Sequence, residues 1–285
     1  MAAAWRLATR GSPLAVAQSQ QVADAVTAAT GRAVVLVRVT TKGDRVTDRP
    51  LGQVGGKGLF TKEVEEAVLR GDADFAVHSA KDLPTERPEG LVLGAVPVRQ
   101  DPRDVLVGAT LSALRLGARV GTGSARRQRQ LAAQRPDLVF VDVRGNIDTR
   151  LAKAAHGEVD AIVLAAAGLN RLGVALPTHE PLPIEVCLPA VGQGALAVEC
   201  RVDDAEARAA LANIDDPQTR LRLDVERAFL IALSGGCSVP AACHAWIEGD
   251  AVVVAGWHDG VGAERWRGPA AYAAVAAAAM GAALR

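Results

Sequence analysis

The first two hundred residues contain the same order of structural signals twice, and this repeat limits the fold more than any other feature. In each copy a strand-like run ends in a Gly-Ser turn, at 10–12 and at 121–124, before a helical stretch and a second strand-like run at 33–39 and 138–143. Each copy continues with a helix, a glycine and a short apolar run, 62–77 and 149–164. Glycine permits the left-handed cap that ends a helix, and short apolar runs suit strands covered on both faces.

This alternation of helices and short apolar strands predicts two similar α/β domains with mostly parallel sheets. In such sheets, ligands bind beyond the C-terminal ends of the strands and at helix N-termini. Segments 97–102 and 176–189 contain prolines and predict crossings between the two domains. After residue 217 the pattern changes to a helix over 221–232, alternating segments at 244–247 and 251–256, and a terminal helix. The sequence therefore predicts a small third domain of the α+β class.

Composition excludes several function classes. The chain has 285 residues, 49% of them hydrophobic, so it can bury a large core. Lys+Arg and Asp+Glu are each 32, so no overall field attracts nucleic acid or an anionic membrane, and any anion site must be local. The first residues lack the apolar run of a secretory signal, which predicts a cytoplasmic protein. The alanine-rich tract 270–284 predicts a packed terminal helix, because it is too weakly hydrophobic to span a membrane.

Cys237 lies in a turn-like segment, Ser-Gly-Gly-Cys-Ser-Val-Pro over 234–240, and not in an apolar stripe. Glycines and a following proline hold the backbone in a loop where the sulfur can meet a reactant. A loop cysteine without a function is the alternative. The other cysteines are Cys187, Cys200 and Cys243, and the absence of a CxxC pair predicts unbridged thiols in a reducing compartment. Cys243 and His244 have poor spacing for zinc, so we expect no metal.

Arginines cluster at two predicted helix starts in the second domain. Residues 121–128 place free backbone N–H groups, hydroxyls, Arg126 and Arg127 at one helix start, which favours an anion. The alternative is a solvated helix face with Ser124 as the N-cap. Residues 143–150 repeat the arrangement, with Arg144 at a strand end and Arg150 in the first helical turns. Two such sites in one domain indicate a ligand with several anionic groups.

The first domain has weaker versions of these features. The glycine loop 55–60 carries Lys57 and Phe60 but lacks the spacing of a P-loop, which disfavours nucleotide binding. Arg10 and Ser12 repeat the Gly-Ser device, and Arg171 follows the last strand of the second domain. Taken singly, each of these arginines is better explained as a surface salt-bridge partner.

Residues 77–84 form the other informative segment. A strand delivers Lys81 and Asp82 to its C-terminal end, and Pro84 ends the regular structure. A carboxylate held among cations stays ionised and can stabilise positive charge that develops on a substrate. The alternative is a local Lys-Asp turn with His78 packed in the core.

Six segments in order carry a resemblance to a known family. They are GGKGLF (55–60), HSAKD (78–82), GTGSARRQ (121–128), RGNIDTR (144–150), AVGQGA (190–195) and GGC-x-VP (235–240). Together they resemble the porphobilinogen deaminase (hydroxymethylbilane synthase) family over nearly the whole chain. The resemblance implies two periplasmic-binding-protein-like α/β lobes and a small C-terminal α+β domain. Lobe 1 would comprise 1–98 and 190–214, lobe 2 would comprise 99–189, and the C-terminal domain 215–285.

The resemblance also implies an activity and a cofactor. Members of this family are transferases of tetrapyrrole and heme biosynthesis that join four porphobilinogen units head to tail with loss of ammonia. The units are added to a covalent dipyrromethane primer, and the product is released by hydrolysis as hydroxymethylbilane. Each pyrrole brings an acetate and a propionate, which accounts for the many arginines. The family further implies a monomer. The balanced charge noted above predicts no nucleic-acid or membrane partner.

Site residues follow from the same resemblance, position by position. Cys237 would carry the dipyrromethane through a thioether, and Asp82 would stabilise the cation formed when porphobilinogen loses ammonia. The residues implied to bind the cofactor are Lys81, Asp82, Thr122, Ser124, Arg126, Arg127, Arg144 and Arg150. Those implied to bind the substrate are Arg10, Ser12, Lys57, Phe60, Arg144, Arg150, Arg171 and Gln193, with Lys57 and Phe60 on a lid.

Two departures from the family pattern and two rival functions complete the expectations. Gln53 stands where many relatives have a lysine, which puts one cationic contact in doubt, and the C-terminal domain is short. The main rival is a two-lobe protein that binds a small anion without catalysis. A phosphoryl-transfer enzyme is a weaker rival, because no set of metal-binding carboxylates accompanies the glycine loops.

Overall fold

A computed structural model describes residues 3–45, 59–233 and 240–285. The chain divides into two compact units. Unit 1 comprises Met1–Arg99 and Ala195–Leu223, and unit 2 comprises Gln100–Gly194 and Asp224–Arg285. The three-domain division implied by the resemblance stays a prediction.

Unit 1 is built on a five-stranded mixed sheet. Its strands are β1 (Trp5–Arg10), β2 (Val34–Val39), β3 (Phe75–Ser79), β4 (Leu91–Ala95) and β10 (Leu196–Arg201), in the order β2-β1-β3-β10-β4. β1 pairs in parallel with β2 and β3, and β10 is antiparallel to both β3 and β4. Four of the five strands therefore run in one direction, as the alternation of helices and strands predicts.

Helices cover both faces of this sheet. They are α1 (Pro13–Thr30), α2 (Lys42–Arg45), α3 (Lys62–Leu69) and α7 (Ala205–Ala212). The Ser12 side chain accepts a hydrogen bond from the Ala15 N–H and caps α1, which ends at the left-handed Gly31 with φ 71°. Successive residues of a strand face opposite sides, so Leu7 joins the core under α1 and Ala8 joins the core under α3.

Unit 2 contains a second five-stranded sheet with the same plan. Its strands are β5 (Asp104–Val107), β6 (Arg119–Gly121), β7 (Val139–Val141), β8 (Ala161–Ala165) and β9 (His179–Pro181), in the order β7-β6-β8-β5-β9. β6 is parallel to β7 and β8, while β5 is antiparallel to β8 and β9. The helices are α4 (Ala125–Gln134), α5 (Ile147–Ala155) and α6 (Ala166–Leu172). The predicted repeat and the α/β class are confirmed.

The C-terminal part adds an antiparallel sheet and two helices. They are α8 (Pro217–Leu233), β11 (Ala241–Glu248), β12 (Ala251–His258), β13 (Gly262–Pro269) and α9 (Ala270–Ala283). The α+β character of this part is confirmed, with longer strands than predicted. β13 was not predicted, because most of its residues are exposed and no apolar alternation marks it.

The terminal helix α9 packs on this sheet through buried Ala273, Ala277 and Met280. Gly256 on β12 is required there, because a Cβ at that position would lie 2.5 Å from the Met280 sulfur. Among the described helices, none has the length and apolar character that crossing a membrane requires.

Candidate functional site

The C-terminal edge of the unit 1 sheet collects several of the predicted site residues. β1 and β3 are parallel with Leu7 opposite Phe75 and Ala8 opposite Ala76, so Arg10 and Ser79 end the two strands at the same edge. Ser12 follows Arg10 as the cap of α1, and a 3-10 turn over Ala80–Asp82 follows β3 directly. Parallel neighbours thus bring Arg10 and Ser12 to the same edge as Asp82, although Asp82 follows them by 70 or more positions in the chain.

Asp82 is exposed on this turn. Among the residues that the structure describes, no hydrogen bond or ion pair engages its carboxylate. Backbone bonds hold the turn: the Ala80 N–H donates to the Ala195 carbonyl over 3.0 Å, and the Leu83 N–H donates to the Ala80 carbonyl over 3.3 Å. A carboxylate presented in this way can accept hydrogen bonds from a bound molecule and can offset positive charge on it.

Arg10 and Phe60 are in contact in unit 1. The guanidinium carbon of Arg10 lies 4.2 Å from the centroid of the Phe60 ring, which is a cation–π geometry. The structure therefore joins two residues that the sequence assigned to substrate binding. Lys57, which belongs to the same predicted lid, lies outside the described residues.

In unit 2 the turn after β6 is organised by short-range hydrogen bonds. The Ser124 N–H donates to Thr122 Oγ1 over 3.2 Å, and the Ser124 side chain caps α4 by accepting from the Arg127 N–H over 3.5 Å. The predicted N-cap at Ser124 is thus confirmed, whereas the solvated helix face that the same alternative expected is wrong, because Arg126 and Arg127 are buried. A capping hydroxyl keeps its own O–H donor, so a role in anion binding stays a prediction for Ser124.

Arg126 and Arg127 converge on one buried carboxylate, Asp104 on β5. Arg127 donates to Asp104 through Nε and Nη2 over 3.0 and 2.7 Å, and Arg126 Nη2 lies 2.8 Å from the second Asp104 oxygen. Gln193, which is also buried, donates from Nε2 to Asp104 over 2.9 Å. Three predicted ligand-binding residues therefore form an internal network in which two guanidinium groups face one carboxylate.

Burial alone would raise the pKa of Asp104, but the attraction of Arg126 and Arg127 outweighs it and holds that pKa far below the usual value. Burial by itself would lower the pKa of Arg126, but the attraction of Asp104 outweighs burial and raises that pKa above its usual value. Asp104 was missed by the sequence reasoning. The available signal was an aspartate at the start of a strand buried along its whole length, which requires an internal cationic partner.

We expect Asp104→Asn to lower the free energy of unfolding by about 3–5 kcal/mol, because it leaves two buried guanidinium groups without their counterion. Urea denaturation measures this loss. Because folding lowers the pKa of Asp104, this carboxylate contributes its full stabilisation at pH values above about 4, which is its pKa in the unfolded chain. The stabilisation is lost as the pH falls below that value. Asp137→Asn is the control, since Asp137 pairs with Arg135 at the surface. An equal loss in both variants would contradict the prediction.

Arg144, Arg150 and Arg171 are partly exposed and only partly satisfied. Arg144 Nε lies 2.9 Å from Asp142, Arg150 donates to the Gly145 carbonyl over 2.7 Å, and Arg171 donates to the Gly194 carbonyl over 2.8 Å. Burial and the neighbouring Arg127 and Arg144 lower the pKa of Arg150, and burial lowers the pKa of Arg171 to about 10.

Burial accounts for the pKa shift of Arg171 and for the largest part of that of Arg150, to which neighbouring cations add. Within the described part of the chain, the buried Nε of Arg171 also has no hydrogen-bond partner. Such groups are stabilised by an anion that neutralises the charge and accepts the unpaired donor. A carboxylate is an anion of this kind.

Three of the four cysteines are described, and all three are buried thiols: Cys187, Cys200 and Cys243. Burial raises the pKa of Cys187 to about 12 and that of Cys200 to about 11, so neither ionises readily. Cys237, predicted to carry the cofactor, lies outside the described residues.

Comparison with known proteins identifies the family. Residues 5–209 match the family model described as porphobilinogen deaminase, dipyromethane cofactor binding domain. The chain is 54% identical over 249 residues to the porphobilinogen deaminase of Nitratidesulfovibrio vulgaris, which covers 86% of this chain and 79% of the relative. It is 48% identical over 282 residues to the porphobilinogen deaminase of Roseiflexus castenholzii, which covers 98% and 93% of the two chains.

A solved structure shows a partial likeness to the backbone. It is a nutrient binding protein from Burkholderia cenocepacia bound to methionine, at 13% identity and a TM-score of 0.44, over 75% of this chain and 93% of that chain. The family assignment rests on the relatives named above. The chain is a transferase that condenses four porphobilinogen units, with loss of ammonia, on a dipyrromethane cofactor to give hydroxymethylbilane, and it belongs to the porphobilinogen deaminase family.

Proposed function

We propose that Asp82 is the catalytic carboxylate of this reaction. The observation that carries the proposal is its exposed side chain, presented just beyond the C-terminal end of β3 beside the end of β1. At that edge its oxygens can accept hydrogen bonds from the pyrrole N–H of porphobilinogen. The same charge offsets the positive charge that develops on the substrate as its amino group leaves as ammonia, and this lowers the barrier.

Cys237 is proposed to hold the dipyrromethane through a thioether. The cofactor, when bound, supplies the pyrrole carbon to which the substrate units are joined. Attachment needs a thiolate that can reach a reactant, and the three described cysteines are buried. The glycine-rich segment around Cys237 supports the assignment, because such segments form loops.

The remaining predicted residues are proposed to neutralise carboxylates. The residues proposed for the cofactor are Lys81, Asp82, Thr122, Ser124, Arg126, Arg127, Arg144 and Arg150, and those for the substrate are Arg10, Ser12, Lys57, Phe60, Arg144, Arg150, Arg171 and Gln193. The buried pair of arginines that share Asp104 retains one positive charge, which supports a role beyond structure. Charge-assisted hydrogen bonds of this kind contribute about 1.5–3 kcal/mol each, and neighbouring ones are not additive.

Arg144→Ala tests this assignment. We expect kcat/KM for porphobilinogen to fall by about tenfold to a hundredfold, which corresponds to the loss of one charge-assisted contact. Intact-mass measurement after a short incubation with porphobilinogen should show fewer added units per chain. Arg115→Ala is the matched control. Arg115 pairs with Asp160, which accepts a hydrogen bond from the Arg119 N–H at the start of β6, whereas Arg144 follows the C-terminal end of the parallel neighbour β7. Equal losses in the two variants would show that the total charge matters and the position of Arg144 does not.

A cytoplasmic monomer that contacts neither nucleic acid nor membrane is proposed as the working form. Equal numbers of acidic and basic residues support this, since they provide no overall field for a polyanion. Light scattering coupled to size-exclusion chromatography tests the oligomeric state. A dimer at micromolar concentration would contradict the proposal.

A further inference from the structure

Glu199 on β10 is a buried carboxyl group that has no proposed role in the reaction. It is 1% exposed, and its two carboxylate oxygens face two different basic side chains. One oxygen lies 3.3 Å from His78 Nε2, and the other lies 3.4 Å from Arg87 Nε. Burying a carboxylate costs free energy unless neighbouring groups compensate its charge. The two contacts of Glu199 therefore indicate a specific role for this residue.

The two partners of Glu199 bracket the turn that carries Asp82. His78 lies on β3, two residues before the 3-10 turn Ala80–Asp82, and Arg87 lies five residues after Asp82. Glu199 itself sits in the middle of β10, which is paired with β3 so that Ala197 is opposite His78. One strand of the sheet therefore presents a single carboxylate to residues on both sides of the Asp82 turn. Both contacts are within ion-pair distance, and among the described residues His78 Nε2 and the Glu199 oxygen facing it have no hydrogen-bond partner.

Glu65 on α3 completes the buried cluster. It is 4% exposed, and its Oε1 has no hydrogen-bond partner among the described residues. Burial, and then repulsion from Glu199, raises the pKa of Glu65. Two carboxyl groups that lie close together in a buried setting each oppose the ionisation of the other.

A metal ion is the competing explanation of the same cluster. One ligand atom from each of Glu65, His78 and Glu199 lies within 4.8 Å of the others. Arg87, however, already provides a positive charge at one oxygen of Glu199. The contact between Glu199 and Arg87 therefore needs no metal ion.

We propose that Glu199 is a positioning residue for Asp82: by binding His78 and Arg87, it fixes the turn that aims the Asp82 carboxylate at the substrate. The inference rests on the proposed catalytic function of Asp82. Electrostatic stabilisation depends on placing the charge in advance, and a displacement of about 1 Å can cost roughly a hundredfold in rate. Loosening either end of the segment therefore reduces turnover without removing any group that touches the substrate.

Glu199→Gln in the cofactor-loaded enzyme tests the proposal. The variant keeps the size of the side chain but removes its charge. We expect kcat to fall by about ten- to a hundredfold with KM little changed, at a temperature well below the unfolding transition of the variant. Glu65→Gln is the matched control. Glu65 belongs to the same buried cluster but lies on α3, outside the segment between His78 and Arg87, so kcat should stay close to that of the parent chain.

Amide hydrogen exchange followed by mass spectrometry provides a readout that a general loss of stability does not produce. In Glu199→Gln, exchange should accelerate in peptides that cover 79–87, where the Ala80 and Leu83 amides donate to backbone carbonyls. Peptides from β1 and α1 should exchange as in the parent chain. Uniform acceleration across unit 1, or unchanged kcat in Glu199→Gln, would overturn the inference.

Two further measurements separate the possible failures. If Asp82→Asn retains full turnover, the proposed function fails whatever Glu199 does. If Asp82→Asn is inactive and Glu199→Gln is fully active, only the positioning role fails. One equivalent of a divalent metal in the purified enzyme, absent from Glu199→Gln by elemental analysis, would assign Glu199 as a metal ligand and also overturn the proposal.

Discussion

Cys237→Ser should give a protein whose intact mass equals that of the polypeptide alone, and its turnover of porphobilinogen should fall below detection. The parent chain should instead be heavier by one dipyrromethane. The reason is chemical, because a thiolate is accessible near neutral pH and is a strong nucleophile, whereas a serine hydroxyl without an adjacent base is not ionised. Without an attached primer there is no pyrrole carbon to receive the first substrate unit.

Cys200→Ala is the matched control for this experiment. Cys200 is buried on β10, and burial raises the pKa of its thiol to about 11, so it should take no part in attachment. We expect this variant to keep the added mass. Retention of the dipyrromethane mass in Cys237→Ser, or its transfer to a peptide that contains another cysteine, would contradict the assignment. The mass measurement needs no active enzyme, so it separates attachment from catalysis.

Asp82→Asn should lower kcat by about a hundredfold to a thousandfold, the usual cost of removing one pre-placed electrostatic group from a reaction centre. The substitution keeps the shape of the side chain and removes its charge. Because Asp82 is exposed and has no ion pair among the described residues, the thermal midpoint should stay close to that of the parent chain. Steady-state kinetics and thermal unfolding on the same sample measure both effects.

Asp250→Asn controls for the loss of one negative charge. Asp250 is exposed between β11 and β12, so this variant should keep its kcat. Intact mass, recorded before and after addition of porphobilinogen, shows whether Asp82→Asn starts with a cofactor and how many units it then adds. An Asp82→Asn enzyme with the kcat of the parent chain would show that another group stabilises the developing charge.

Local sequence signals were sufficient for the elements and for their repetition. Glycine and proline at helix ends, together with short apolar runs, predicted α1, α4 and the strands around them, and the structure confirms both copies. These signals act over a few residues, through backbone conformation and the periodicity of burial. β13 escaped prediction for the same reason, because its exposed residues provide no periodic apolar pattern and only pairing with β12 makes it a strand.

Local sequence signals did not predict which partners the charged residues have in the folded chain. Arginine at a helix start favours an anion by local rules, and those rules assigned Arg126 and Arg127 to a ligand. Only the folded chain brings Asp104, more than twenty positions earlier, between the two guanidinium groups. Glu199 likewise reaches His78 because β10 returns antiparallel beside β3.

The residue types and their order were therefore enough to determine the α/β class, the internal repeat and the family to which the segments around Asp82 and Arg144 belong. The tertiary structure decided which charges are satisfied inside the protein and which face a ligand. The physical reason is that the free energy of a charge depends on its burial and on partners brought near by strand pairing. Neither is a property of the sequence neighbourhood, so the same arginine can be a structural counterion or a binding group.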